Sequence, residues 1–275
     1  MRRRIDIRDD ELEAIAEEWP LMDLDMPHYI RRWNSMGDLM GTMDIPTDEL
    51  FLELIDSIGE PDGDTTVMEI GCGSGDHCFA LSGRAKSVLG IDISPTIVDN
   101  CRTKCREKGI TNVEFDVKDW FSVGPGDALV RDGADIVIAH YSPAVYSYPT
   151  FRTMIESAKR AGFVCLELNW SDPLYREAYR IGGVETSGSC EYPLRMVDTL
   201  WHLGYSPSIR YNERETSEWM DADAAVDVLI EHISMFEDYD PVHSEEIREM
   251  VRSRVVDGKA EFLDRWTDVY ISWKA

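Results

Sequence analysis

Positive charge is what this chain has least of. Its 275 residues carry 28 lysines and arginines against 53 acidic residues, a net charge of −25, and only seven of the 28 are lysines. A surface this acidic repels phosphate backbones, and no basic stripe interrupts it, so nucleic acid is not an expected partner. A lysine-poor, acidic surface suits a salt-rich cytoplasm, although many ordinary proteins reach the same pI of 4.5. Long hydrophobic runs are missing too. The apolar stretches are strand-sized, which leaves no membrane span to expect. No apolar signal region follows the start Met1-Arg2-Arg3-Arg4, so the expected location is the cytoplasm. The six cysteines form no C-x-x-C pair. Cys101 and Cys105 stand four apart on one helix, in phase with Ile97, which reads as buried free thiols. A thiolate metal site needs further ligands close by, so no metal is expected. There is no internal repeat or low-complexity tract.

What is present is a hydrophobic content of 43%, enough for a full core, in a length that fits one α/β domain with elaborations. The informative stretch is Val67-Met68-Glu69-Ile70-Gly71-Cys72-Gly73-Ser74-Gly75. It reads as a strand ending at an acidic residue, then alternate glycines, then a helix from about Asp76. Glycine tolerates positive φ and has no Cβ to hold a ligand away. The helix start adds free N–H groups and the positive end of a dipole. The dinucleotide fingerprint G-x-G-x-x-G would put its third glycine at Asp76, where a carboxylate would face a pyrophosphate.

The pattern actually written, E-x-G-x-G-x-G from Glu69 to Gly75, resembles motif I of class I S-adenosylmethionine (SAM) methyltransferases. Two further strand ends fall at that family's spacing. Ser87-Val88-Leu89-Gly90-Ile91-Asp92 ends in an acidic residue, and Val113-Glu114-Phe115-Asp116-Val117 leads to Asp119-Trp120. The resemblance implies SAM as cofactor, held by Glu69, Gly71, Cys72, Gly73, Gly75, Asp92, Ile93, Asp119, Trp120 and His140. Asp92 would accept the ribose hydroxyls, with Asp119 and Trp120 at the adenine. It also implies a Rossmann-like α/β fold, a seven-stranded mostly parallel sheet with helices on both faces. The match is good over roughly 65–170 and holds only in layout on the flanks.

Those flanks read as an N-terminal helical cap over 1–60 and a methyltransferase domain over 61–275, with a helical insertion at about 216–258 before the last strand. Thr47-Asp48-Glu49 opens a helix whose apolar face is Leu50, Phe51, Leu54, Ile55 and Ile58. The segment Tyr29–Met36 resembles the aromatic arm that such enzymes fold over the cofactor; a helix packed on the domain edge reads equally well. Ser94-Pro95 is an N-cap and N1 pair, and Gly109 a helix stop. Asn169 to Glu191 reads as a long polar loop rich in glycine. Inserted helices fall at about 221–236 and 244–256. The alternating Arg265–Lys274 reads as the strand that enters antiparallel and closes the sheet.

His140 and Tyr141 end the fourth strand, where a parallel sheet binds ligands and where the family places the transferred methyl. They are the candidate catalytic residues. A histidine has the pKa range of a general base; a satisfied strand-end histidine is the plainer reading. Ser142-Pro143-Ala144-Val145 is a partial match to the (N/D/S)-P-P-(Y/F) signature of amino-group methyltransferases. His77 reads as a capping or packing residue. The function expected is methyl transfer to a nitrogen or oxygen of a small-molecule acceptor, with a homodimer left open. The alternatives are a protein methyltransferase and a SAM-binding regulatory subunit without chemistry.

Overall fold

A computed structural model describes residues 9–19, 26–41, 49–184, 191–234 and 239–275. Three helices come first: α1 (Asp9–Glu17), α2 (Met26–Gly41) and α3 (Glu49–Gly59). Strand and helix then alternate through β1 (Thr66–Ile70), α4 (Asp76–Ser82), β2 (Ser87–Asp92), α5 (Pro95–Lys108), β3 (Val113–Val117), α6 (Ala128–Arg131), β4 (Ala134–His140), α7 (Tyr148–Ser157) and β5 (Ala158–Ser171). The remainder is α8 (Pro173–Gly182), α9 (Glu191–His202), β6 (Ser208–Asp221), α10 (Ala222–Ile233), α11 (Ser244–Arg252) and β7 (Lys259–Lys274). Thr47 and Asp48, read as the opening of α3, lie outside the described residues, as do residues 235 and 236 at the end of the first inserted helix.

The seven strands make one sheet in the order β3-β2-β1-β4-β5-β7-β6. β1 pairs in parallel with β2 and β4, β2 with β3, and β4 with β5. The reversal of direction in strand order, outward from β1 on both sides, puts the ends of β1, β2 and β4 next to each other, where open sheets bind ligands. The last strand does enter the sheet: β7 sits between β5 and β6, and β6 is the edge.

Two compact units divide the chain. One comprises 1–166, 191–210 and 270–275, and the other 167–190 and 211–269. The first three helices fall in the same unit as the parallel strands. In the first unit, Phe51, Leu54, Ile55 and Ile58 of α3 join Val67, Ile136, Ile138, Phe163 and Tyr270 in one core. Gly162 lets β5 take the indole of Trp273: a Cβ there would stand 2.0 Å from Trp273 Cζ2. The inner face of α5 is Ile97, Val98, Cys101 and Cys105, all buried, as the spacing implied.

The second unit has its own core, in which Leu174, Ala178 and Ile181 of α8 meet Ala225, Leu229, Ile247, Val251 and Phe262. Its existence corrects the long loop expected over 169–191. β5 runs on to Ser171, and α8 follows at once. Asp172 caps α8 through Leu174 N (2.6 Å) and Tyr175 N (2.9 Å), Pro173 fixes its first turn, and Gly183 ends it at φ 66°. The other carboxylate oxygen of Asp172 accepts the backbone N–H of Leu263 at 2.5 Å. This residue is 1% exposed, so nothing else can satisfy those donors. Asp172→Ala should therefore cost about 2–4 kcal/mol, a lost cap plus a stranded buried N–H. Denaturant unfolding measures this; a change below about 1 kcal/mol would contradict the cap's double role.

Candidate active site

The glycine turn after β1 is tied to the end of β2 by consecutive backbone donors. Gly71 N and Cys72 N both reach Ile91 O, at 2.8 and 3.0 Å, and Gly73 N reaches Asp92 Oδ2 at 3.2 Å. Gly71, Gly73 and Gly75 have φ of 70°, 50° and 80°, the left-handed region that side chains disfavour. At Gly71 a Cβ would also lie 2.2 Å from Ser142 Oγ, so the loop after β4 presses directly on the turn. Cys72 is buried, and its thiol is pushed well up by a hydrogen bond with Cys101 and by burial, which leaves an inert thiol in the turn.

Asp92 is buried and accepts from Ser94 N at 2.9 Å as well as from Gly73 N. Burial raises its pKa, and backbone hydrogen bonds from Ser94, Gly73 and Ile93 oppose that. A carboxylate has about four acceptor positions, so capacity remains for a ligand hydroxyl. Ser94 does cap α5, accepting from Ile97 N at 3.3 Å, and its hydroxyl meets Asn34 Oδ1 of α2 at 2.6 Å. α2 is held on α5 a second time where Asn100 donates to Gly37 O at 2.9 Å. Ile93 is half-buried beside the Asp92 carboxylate.

The end of β3 holds Asp119 and Trp120 differently. Asp119 is half-exposed and caps a short 3₁₀ turn through Phe121 N at 2.9 Å, but Trp120 is 2% exposed and donates to Thr150 O at 3.1 Å. Its ring belongs to the core and has no face left for a ligand. The half-buried aromatic at this turn is Phe121, with Tyr29 of α2 at 6.2 Å between ring centroids. Phe121 stands one position beyond the Asp119-Trp120 pair that the resemblance implies, and the signal available for it was the aromatic arm Tyr29–Trp33.

Glu69 is likewise not presented to the turn. It is 2% exposed, with Oε1 2.9 Å from His77 Nδ1 and Oε2 accepting from Cys78 Sγ at 2.9 Å. His77, read as packing, therefore bonds the acidic residue of the motif. Its ring also meets His140 at 4.3 Å and Phe51 at 4.2 Å. His140 contacts Tyr141 at 4.5 Å, and Tyr141 stands 40% exposed with φ 49°, a strained conformation for a tyrosine. Glu69, His77, His140, Tyr141 and the glycine turn are thus brought together, while Trp120 is turned away. A separate cavity of about 600 Å³ is lined by Leu89, Arg102, Cys105, Arg106 and Val113–Asp116, along α5 and the middle of β2 and β3. It is not the space at the strand ends. Among the described residues no group of side chains is arranged to hold a metal ion.

Residues 61–171 match the family model described as a methyltransferase domain. Over these residues the chain is similar to SAM-dependent methyltransferases, a likeness that supports SAM as the cofactor. The chain is 37% identical over 92 residues, 34% of its length, to the 2-heptyl-1-hydroxyquinolin-4(1H)-one methyltransferase of Mycobacteroides abscessus. It is 33% identical over 123 residues, 44% of its length, to the ribosomal protein L11 methyltransferase of Pasteurella multocida. It spans 39% of the length of each of these relatives. Among solved structures, magnesium protoporphyrin IX methyltransferase of Synechocystis PCC 6803 superposes with a TM-score of 0.50 at 18% identity. That likeness covers 70% of this chain and 94% of the other, and it shows the same fold. The alternate glycines of the turn and the buried Asp92 beside it fit SAM.

Two outcomes follow from these surroundings. Asp92→Ala should weaken SAM by about 1.5–3 kcal/mol, the worth of a hydrogen bond to a charged acceptor. Asp76→Ala should do far less, since that carboxylate is engaged by Ser74 at the helix start; titration calorimetry ranks the two, and the reverse order would refute the assignment. The second outcome concerns pH. Burial, and then the neighbouring His77, hold the pKa of His140 well below 6.5. The unfolded chain protonates this histidine as pH falls through about 6.5, while the folded chain does not. Stability contributed by neutral His140 is therefore lost as pH drops below that value. Thermal midpoints from about pH 7.5 to about 5.5 should fall more steeply for the wild type than for His140→Phe; parallel profiles would count against it.

Proposed function

We propose that the protein is a SAM-dependent methyltransferase whose acceptor is a small molecule carrying a nucleophilic nitrogen or oxygen. The observation that carries this reading is the glycine turn locked to Asp92 at the sheet's ligand-binding edge, inside the segment that matches a methyltransferase domain. The net charge of −25 disfavours a nucleic-acid acceptor, and a quinolone methyltransferase stands among the relatives. A protein acceptor is the second reading, favoured by the ribosomal protein L11 methyltransferase match.

In this reading Gly71, Gly73, Gly75, Asp92 and Ile93 hold the cofactor, with Asp119, Phe121 and Tyr29 at its base. SAM supplies an electrophilic methyl group on a sulfonium centre. The chain's task is then alignment, because displacement at carbon needs nucleophile, carbon and leaving sulfur in line. Tyr141 and His140 border the acceptor side. His140, kept neutral by burial, is a hydrogen-bonding group for orienting an acceptor and a weak proton sink, since its protonated form is disfavoured.

The purified protein, given methyl-labelled SAM and cell extract, should place label in molecules below the size of peptides. Label in a protein band would favour the second reading. Tight SAM binding without any transfer would mark a regulatory subunit and end the enzymatic reading.

A further inference from the structure

A histidine held from behind by a buried carboxylate stands next to His140. His77 Nδ1 lies 2.9 Å from Glu69 Oε1; the histidine side chain is 19% exposed and the glutamate 2%. An ionised carboxylate only accepts, so Nδ1 carries the proton and the lone pair belongs to Nε2, on the opposite edge of the ring. Among the described residues Nε2 has no hydrogen-bond partner. Phe51 and His140 fix the plane of the ring at 4.2 and 4.3 Å. A base oriented by a third group is the arrangement that general-base catalysis uses elsewhere.

His140 lacks that support. Its ring neighbours are His77, Phe51 and Tyr141, none of them a carboxylate. A proton placed on His140 would leave a desolvated cation beside a second imidazole. A proton placed on His77 meets the Glu69 carboxylate instead. The titratable groups facing the pair are Glu69 of β1, Cys78 of α4 bonded to Glu69, and His140 and Tyr141 at the end of β4; α3 contributes the apolar Phe51.

We propose that Nε2 of His77, backed by Glu69, receives the proton that the acceptor gives up during methyl transfer. The proposal rests on the methyltransferase reading. The lone pair of the acceptor nitrogen or oxygen forms the new bond to the methyl carbon, and the carbon–sulfur electron pair stays with sulfur. The acceptor's N–H or O–H bond breaks, its pair remains on the acceptor atom, and the proton passes to Nε2 and then to water. One methyl and one proton move, and no oxidant or reductant is needed.

Two measurements test it. In the ligand-free protein with ¹⁵N-labelled histidine, imidazole nitrogen shifts at about pH 7 should show His77 as the Nδ1–H tautomer, and Glu69→Gln should abolish that preference. An Nε2–H or doubly protonated His77 in the wild type would overturn the proposal. With the acceptor found by label transfer, His77→Phe should cut kcat roughly 10²–10⁴-fold while SAM affinity holds. His77→Gln and Glu69→Gln repeat the test should the aromatic variant fail to fold. A loss at His140→Phe equal to or larger than that at His77→Phe would refute the assignment, as would unchanged kcat with weakened SAM. Failure of the wild-type protein to bind SAM would instead sink the methyltransferase reading, and the tautomer result would still stand or fall by itself.

Discussion

The Asp92 carboxylate is the constraint on which the cofactor end of the molecule depends. It sits buried at the tip of β2 and takes backbone N–H groups from both sides, Gly73 from the glycine turn and Ser94 from the start of α5. A carboxylate removed from water is costly unless its lone pairs are filled, and here the filling is done by the two segments that must be placed. The register Ile70↔Ile91 between β1 and β2 brings the turn within reach, and the Ile91 carbonyl takes the two preceding donors. A one-residue slip of that register would deprive Gly71, Cys72 and Gly73 of their acceptors together.

A second buried carboxylate, two positions before the turn, serves a different end. Glu69 reaches away from the glycines into the start of α4, where it holds His77 and Cys78. Two acids of similar burial thus divide the labour, one shaping backbone and the other orienting an imidazole, and the division comes from what each finds within hydrogen-bond distance. The two histidines differ on the same principle. Their rings touch, yet only His77 has a carboxylate partner.

The parallel half of the fold was legible because its signals are local. Strand ends, alternate glycines, the Ser94-Pro95 cap and the Gly109 stop each act over a few residues, and each is where it was read. α8 was missed although Asp172-Pro173 and Gly183 bracket it and Leu174, Ala178 and Ile181 repeat at helical spacing. Polar residues and glycines drew the reading toward a loop, and the partner face lies more than forty residues downstream in α10 and α11. Trp120 misled for a related reason. Its spacing fitted a ligand contact, but the carbonyl that claims its N–H belongs to Thr150, a pairing no local pattern announces. The role of His77 was hidden likewise, since Glu69 lies eight residues back and meets it only once strand and helix are folded together.

β7 has a consequence for how the chain is made. Ala260 and Phe262, near its beginning, complete the core built on α8, α10 and α11, and Tyr270, near its end, completes the core around Phe51 and Phe163. The Leu263 N–H that finishes the Asp172 cap is 91 residues downstream of it. Neither core is whole until the sixteen-residue β7 has left the ribosome. Contacts so distant in sequence form late and slowly, so the nascent chain carries two unfinished apolar surfaces until β7 is made, a period in which aggregation competes with folding. The dense negative charge spread along those same segments keeps neighbouring nascent chains apart while they wait.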